Sequence, residues 1–179
     1  MVYLFLANGF EEIEALTPLD VLRRAGVLVT TVGVGGDSVL GAHGIRVQAD
    51  IPDTMYRDSA PDMIILPGGM PGSENLDNSR TVDAALRAAA AHDAYLCAIC
   101  AAPMVLGKRG YLQDKRAVCY PGFEQYLQGA LVTDARVERD GKVITAKGMG
   151  VALEFGLALV EVLCGKQEAD RIAASVFAQ

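Results

Sequence analysis

The chain has 179 residues, 51% of them hydrophobic, and its 16 Lys+Arg against 22 Asp+Glu leave a net charge of −6. That length suits one domain spanning 1–179, and the apolar half is enough to bury a sizeable core, which excludes a disordered tail. The acidic balance (pI near 4.9) argues against nucleic acid or an anionic membrane surface as a partner, since either would need clustered positive charge.

Residues 2–7 form an unbroken apolar run, as a parallel strand buried on both faces should. The run has no basic leader and passes directly into Asn8-Gly9 and an acidic cluster, so it reads as a first strand and not as a signal peptide. Residues 11–25 carry Ile13, Leu16, Leu19 and Leu22 at three-residue spacing, read as one apolar helical stripe. Pro18 within it predicts either a kink or a fresh start capped by Thr17. After Gly26, residues 27–34 are rich in β-branched residues and predict a second strand; 37–49 predict a small hairpin with glycine turns.

A third core strand is expected at 62–66, followed at once by Pro67-Gly68-Gly69. An alanine-rich helix over 79–92 and an apolar strand over 94–99 come next, then a helix over 101–107 with Pro103 in its first turn. Residues 136–146 predict a hairpin around Asp140-Gly141 with a type I′ turn, and 151–163 and 167–177 predict closing helices. Strands alternating with helices predict a flavodoxin-like α/β three-layer sandwich with a mainly parallel central sheet. The longest uncharged apolar run, 94–107, is too short to cross a bilayer, which needs about 20 residues.

In such a sheet ligands bind beyond the carboxyl ends of the strands, near the switch in strand order. That rule selects the loops after the first strand (Glu11, Glu12, Glu14), after the third (Gly68, Gly69) and after residue 99 (Cys100, Ala101). Cys100 falls on a strand-to-helix elbow, where helix amides are expected to lower the thiol pKa and make a thiolate nucleophile. The alternative is a small buried hydrophobe. Glu14, beside a stripe of Ile13 and Leu16 facing the sheet, is expected to be buried with a raised pKa and to pair, protonated, with the sulfur. Cys97-Ala-Ile-Cys100 is a C-x-x-C, but its first cysteine still lies inside the strand, so a thioredoxin-type dithiol is not expected. The four cysteines make neither a disulfide framework nor a zinc site, and a reducing cytoplasmic setting follows. Neither His43 nor His92 is placed as a base for Cys100. Gly33-Val-Gly35-Gly36 and Gly148-Met-Gly150 match no nucleotide motif.

Glu11-Glu12-Ile13-Glu14, Leu66-Pro67-Gly68-Gly69, Ala98-Ile99-Cys100-Ala101-Ala102-Pro103 and Gly150-Val-Ala-Leu-Glu-Phe155 resemble the ThiJ/PfpI superfamily, nearest to its DJ-one branch and the bacterial YajL-like relatives. The resemblance runs nearly end to end. It implies a flavodoxin-like homodimer with an oxidisable Cys100, a protonated Glu14 partner, and an anion or oxyanion pocket from Gly68, Gly69 and Ala101. The activities it implies are cofactor-free glyoxalase or deglycase chemistry on small reactive aldehydes, or redox sensing with chaperone action through a cysteine sulfinate. No metal is implied. Two departures stand out. Tyr120 occupies the position where many relatives carry a histidine near the cysteine, making it a candidate pocket residue. Met149 replaces a proline before the last helix. Arg23 and Arg24 on the first helix, with the 37–49 hairpin, are candidate interface elements.

Overall fold

The computed structural model describes residues 1–57 and 60–178. In chain order it contains β1 (Val2–Leu6), α1 (Glu12–Arg24), β2 (Val29–Gly33), β3 (Ser38–Leu40), β4 (Arg46–Gln48), β5 (Ile51–Pro52), β6 (Met63–Leu66), α2 (Gly72–Asp77), α3 (Arg80–Ala91) and β7 (Tyr95–Ile99). It continues through α4 (Pro103–Gly107), β8 (Arg116–Ala117), β9 (Leu131–Val132), β10 (Val137–Asp140), β11 (Val143–Ala146), α5 (Ala152–Cys164) and α6 (Lys166–Ser175). The main sheet has the order β10-β11-β7-β6-β1-β2-β5, and every pairing in it is parallel except β10 with β11. From β1 the chain first builds outward to β2, then returns to place β6 on the other side. The switch in strand order therefore falls between β1 and β6, and the crevice opens above their carboxyl ends.

Each central strand is buried on both faces, so alternate residues feed two separate cores. Leu4, Leu6, Ile65, Cys97 and Ile99 meet Leu22 of α1 and Phe155 and Leu159 of α5 on one face. Phe5, Ile64, Leu66, Leu96 and Ala98 meet Leu76, Leu86 and Val105 on the other. This double burial is why the strands read as continuous apolar runs rather than alternating ones. The architecture is the expected α/β sandwich, with helices on both sides of a mostly parallel sheet.

Three local expectations are corrected. The stripe Ile13–Leu16–Leu19–Leu22 does not face the core: Ile13 is 48% exposed, while Leu22 is fully buried. At about 100° per residue a strict three-residue spacing turns by about −60° each step, so three steps carry the stripe to the opposite side of the helix. The buried face is instead Glu12, Glu14, Ala15, Pro18, Leu19, Val21 and Leu22. Of the two outcomes expected at Pro18, the fresh start capped by Thr17 does not occur: Pro18 lies inside α1, packed where a Cβ on Gly156 of α5 would stand 3.0 Å from its Cα. The third correction concerns the hairpin at 136–146. Asp140 pairs with Val143, so the turn is Gly141-Lys142, and only Gly141 has a positive φ (+59°). A type I′ turn would need two such residues. Asp140 is drawn back into the strand because its carboxylate accepts the backbone N–H of Arg116 at 3.0 Å.

The hairpin predicted at 37–49 forms as the antiparallel pair β3–β4. Strands β5, β8 and β9 have two residues each and leave no periodic signal. Among the described residues no helix is long and apolar enough to cross a membrane.

Candidate active site

The loops after β1, β6 and β7 converge at the crevice, bringing Glu14, Gly68 and Cys100 together. Cys100 has φ +65°, the left-handed region that a side chain rarely adopts. Its backbone is held there from both sides: its N–H donates to the Ala146 carbonyl (2.9 Å), and its carbonyl accepts from Tyr120 N–H (2.8 Å). Such strain costs on the order of 1–3 kcal/mol and turns the side chain out of the strand into the crevice. Gly68 sits between the carboxyl and the thiol. A Cβ there would lie 2.5 Å from Glu14 Oε2 and 2.6 Å from Cys100 Cβ, so only glycine lets carboxyl and thiol approach.

Glu14 is 1% exposed, and its Oε2 accepts the Gly68 N–H at 2.9 Å. Its Oε1 is buried without a hydrogen-bond partner. Burial pushes the carboxyl up to about 7; bonds from the Cys100 thiol and Gly68 N–H pull it down, and the Glu11 charge adds to the rise. The expectation of a buried Glu14 with a raised pKa therefore stands, although its cause is the Glu12–Glu14–Pro18 face and not a stripe at Ile13.

The thiol departs from expectation. Burial, then the charge of Glu14 and the hydrogen bond to it, push Cys100 up to about 12, against amides of Ala101 and Gly69 that pull it down. The helix that should have lowered it, α4, has only five residues and a correspondingly small terminal charge. The thiolate is thus accessible only when the proton sits on Glu14, and the pair titrates as one unit. The amides directed at the sulfur are those of Gly69 and Ala101; the Gly68 amide is committed to Glu14.

Cys97 is fully buried within β7 and its thiol is pushed well up by burial, as a core residue should be. All four cysteines are free. Tyr120 is 51% exposed and adjoins Cys100 through its backbone. Its ring stands against Gly148, where a Cβ would come within 3.3 Å. The Gly148-Met149-Gly150 turn, which matches no nucleotide motif and carries the departure at Met149, lines a recess beside the site.

Glu12 has a separate task. It is 3% exposed; its Oε1 accepts from the backbone N–H of His43 (2.8 Å) and Ile45 (3.3 Å), and its Oε2 lies 3.0 Å from His43 Nδ1. Burial pushes this carboxyl up, but these bonds outweigh it and hold it below the usual range. Glu12 thus ties the β3–β4 hairpin to the start of α1, against Gly41, where a Cβ would meet Oε1 at 2.2 Å. Glu11, Glu12 and His43 are the one group among the described residues whose ligand atoms gather as a metal site would require, yet both oxygens of Glu12 are already occupied by the hairpin. Glu12→Ala leaves two backbone donors unmet and is expected to cost about 2 kcal/mol, lowering the midpoint of thermal unfolding by roughly 4–8 °C. An unchanged midpoint in calorimetry would dismiss the anchoring role.

This elbow cysteine with a buried glutamate across a Pro-Gly-Gly turn defines a class of α/β protein, and comparison with known sequences and structures agrees. The pattern of the DJ-1/PfpI family matches residues 1–162, and the chain belongs to that family. It is 39% identical over 171 residues to Protein DJ-1 homolog B of Arabidopsis thaliana, covering 94% of this chain but only 39% of that relative's length. It is 32% identical to the glutathione-independent glyoxalase DJR-1.2 of Caenorhabditis elegans, covering 90% of this chain and 87% of the relative. The structure described as Toxoplasma gondii DJ-1, oxidized, superposes with a TM-score of 0.94 at 36% identity, covering 98% of this chain and 97% of that one.

Proposed function

We propose that the chain is a cofactor-independent glyoxalase or deglycase, acting in the cytoplasm on reactive 2-oxoaldehydes such as methylglyoxal through Cys100 and Glu14. The observation that carries the reading is the buried Glu14 carboxyl, titrating near 7 and bridged to Cys100 across Gly68. The Cys100 sulfur adds to the aldehyde carbon, and the proton of the pair passes to the carbonyl oxygen, giving a hemithioacetal. Glu14 removes the proton from C1 and returns it to C2, while the hydroxyl proton on the C1 oxygen passes to the C2 oxygen. This oxidises the former aldehyde carbon to a thioester and reduces the ketone carbon to an alcohol. Water cleaves the thioester, releasing a 2-hydroxy acid and the free thiol. The N–H groups of Gly69 and Ala101 stabilise the oxyanion as it forms.

The test is 2-hydroxy acid formation from methylglyoxal without glutathione. Cys100→Ser is expected to lower turnover by about 10³-fold or more, the scale of losing an activated nucleophile. A serine variant as active as wild type would remove Cys100 from the chemistry.

A second reading uses the same residues. Peroxide would oxidise the Cys100 thiol stepwise to a sulfinate, with two peroxides reduced to water, and the Gly69 and Ala101 amides would hold the anion. The oxidised form recorded for the Toxoplasma relative favours keeping it. Absence of turnover in wild type and variant alike would make this redox-sensing chaperone the better description. We further propose a homodimer through α1 and the β3–β4 hairpin, which carry the exposed Ile13, Leu40 and Ile45. Arg23 and Arg24 are engaged within the chain, with Asp50 and Asp20. Sedimentation at the mass of one chain would refute the dimer.

A further inference from the structure

The recess beside Cys100 is larger than the simplest 2-oxoaldehyde needs. Its volume is about 430 Å³, and Tyr120, Pro121, Gly148, Met149 and Val151 form its walls. Allowing roughly 30 Å³ per heavy atom, the share of a water in its liquid, the five heavy atoms of methylglyoxal fill roughly 150 Å³.

Two contacts tie the recess to the reacting groups. The Tyr120 wall hydrogen-bonds the Cys100 carbonyl through its N–H (2.8 Å). The Gly148 wall is placed so that a Cβ would stand 4.0 Å from Glu14 Oε1, the buried oxygen that has no hydrogen-bond partner. A substrate carbonyl reaching that oxygen thus has its remaining substituent directed along Gly148 and the Tyr120 ring.

The charges at the rim state what that substituent is. Arg136 donates to both carboxylate oxygens of Glu154, at 2.9 and 3.0 Å from its Nε. Lys147 is paired with Asp134. Each rim cation already faces a carboxylate of this chain, and the remaining side-chain walls are an aromatic ring, a proline, a methionine and a valine.

We propose that this recess is a specificity subsite for an uncharged apolar substituent, aryl or branched alkyl, on the 2-oxoaldehyde, with Tyr120 and Met149 as its specificity-determining walls. The inference rests on the glyoxalase reading above and adds the substrate class. The bond changes are those already given; only the group on C2 differs. Burying an aromatic ring that methylglyoxal lacks favours the larger substrate, and the gain appears in KM more than in kcat.

The experiment compares kcat/KM for phenylglyoxal and methylglyoxal in wild type, Tyr120→Ala, Met149→Ala and Tyr120→Phe. Both wall residues are about half exposed, so their truncation leaves the core intact. Wild type is expected to favour phenylglyoxal by about tenfold or more, either alanine variant to lower that ratio roughly fivefold, and Tyr120→Phe, which keeps the ring, to preserve it. Methylglyoxal turnover with no preference for phenylglyoxal, or a ratio unmoved in both alanine variants, overturns the subsite while leaving the glyoxalase reading in place. Failure of wild type to turn over either aldehyde overturns both.

Discussion

Glu14→Gln is expected to lower turnover of methylglyoxal by about 10²–10⁴-fold, the range associated with loss of a positioned acid–base group, while making the folded protein more stable above pH 7. Both effects have one origin. The carboxyl titrates near 7 in the folded chain against an ordinary value of 4.5. Below pH 4.5 it is protonated in folded and unfolded states alike and opposes folding in neither. Between 4.5 and 7 the unfolded chain releases the proton and the folded chain retains it, so stability falls as pH rises. Above 7 the loss levels off at about 3 kcal/mol, from about 1.4 kcal/mol for each pH unit of displacement. Glutamine keeps an acceptor for Gly68 N–H without the ionisation. The variant should therefore exceed wild type by roughly 3 kcal/mol at pH 8 and converge with it near pH 4. Urea unfolding at both values checks this, and parallel pH profiles for the two proteins would refute a raised Glu14 pKa. The activity of wild type should rise through pH 7, as the Cys100–Glu14 pair loses one of its two protons, and the residual activity of the variant should lack that limb.

Gly68→Ala is the second large effect. A Cβ at this position would lie 2.5 Å from Glu14 Oε2, 2.6 Å from Cys100 Cβ and 2.8 Å from the Ile99 carbonyl. Its φ is not among the positive ones, so the obstacle is space and not backbone conformation. None of the three neighbours is the free end of a long side chain: Glu14 is held by Gly68 itself, and the other two belong to the elbow. Overpacking of this kind costs about 1–3 kcal/mol, and displacement of the thiol from the carboxyl by about 1 Å is enough to lose roughly 10²-fold in rate. Gly150→Ala, whose Cβ meets nothing within 4 Å, should leave thermal stability near wild type. Equal stability and activity in Gly68→Ala would show that the crevice is looser than its distances state.

The central strands, the glycine after β6 and the cysteine after β7 were all legible in the chain. Parallel strands buried on both faces announce themselves as apolar runs, and the element alternation implies that their carboxyl ends share one edge. Cys100 was locatable because it is the first residue after the apolar strand, three positions before the proline that opens the next helix. The face of α1 was not legible. Three acidic residues within four positions look alike in sequence, yet one holds the hairpin, one is buried under Cys100 and one stays at the rim. Which is which depends on the rotation of the helix against α5, set by the close approach of Pro18 to Gly156. The small strands β5, β8 and β9 were invisible for a simpler reason: two residues cannot show a period.

What the sequence determined by itself is therefore the order of layers, the edge at which the candidate site lies and the identity of the nucleophile candidate, because each follows from local hydrophobic pattern and turn chemistry. What only the tertiary structure decided is the protonation of the site. The thiol pKa was expected to fall at a helix end and instead rises to about 12. A five-residue helix contributes little, whereas burial beside a carboxyl from a helix 86 positions earlier in the chain contributes most. Desolvation and charge proximity are properties of the packed crevice, and no local stretch of residues carries them.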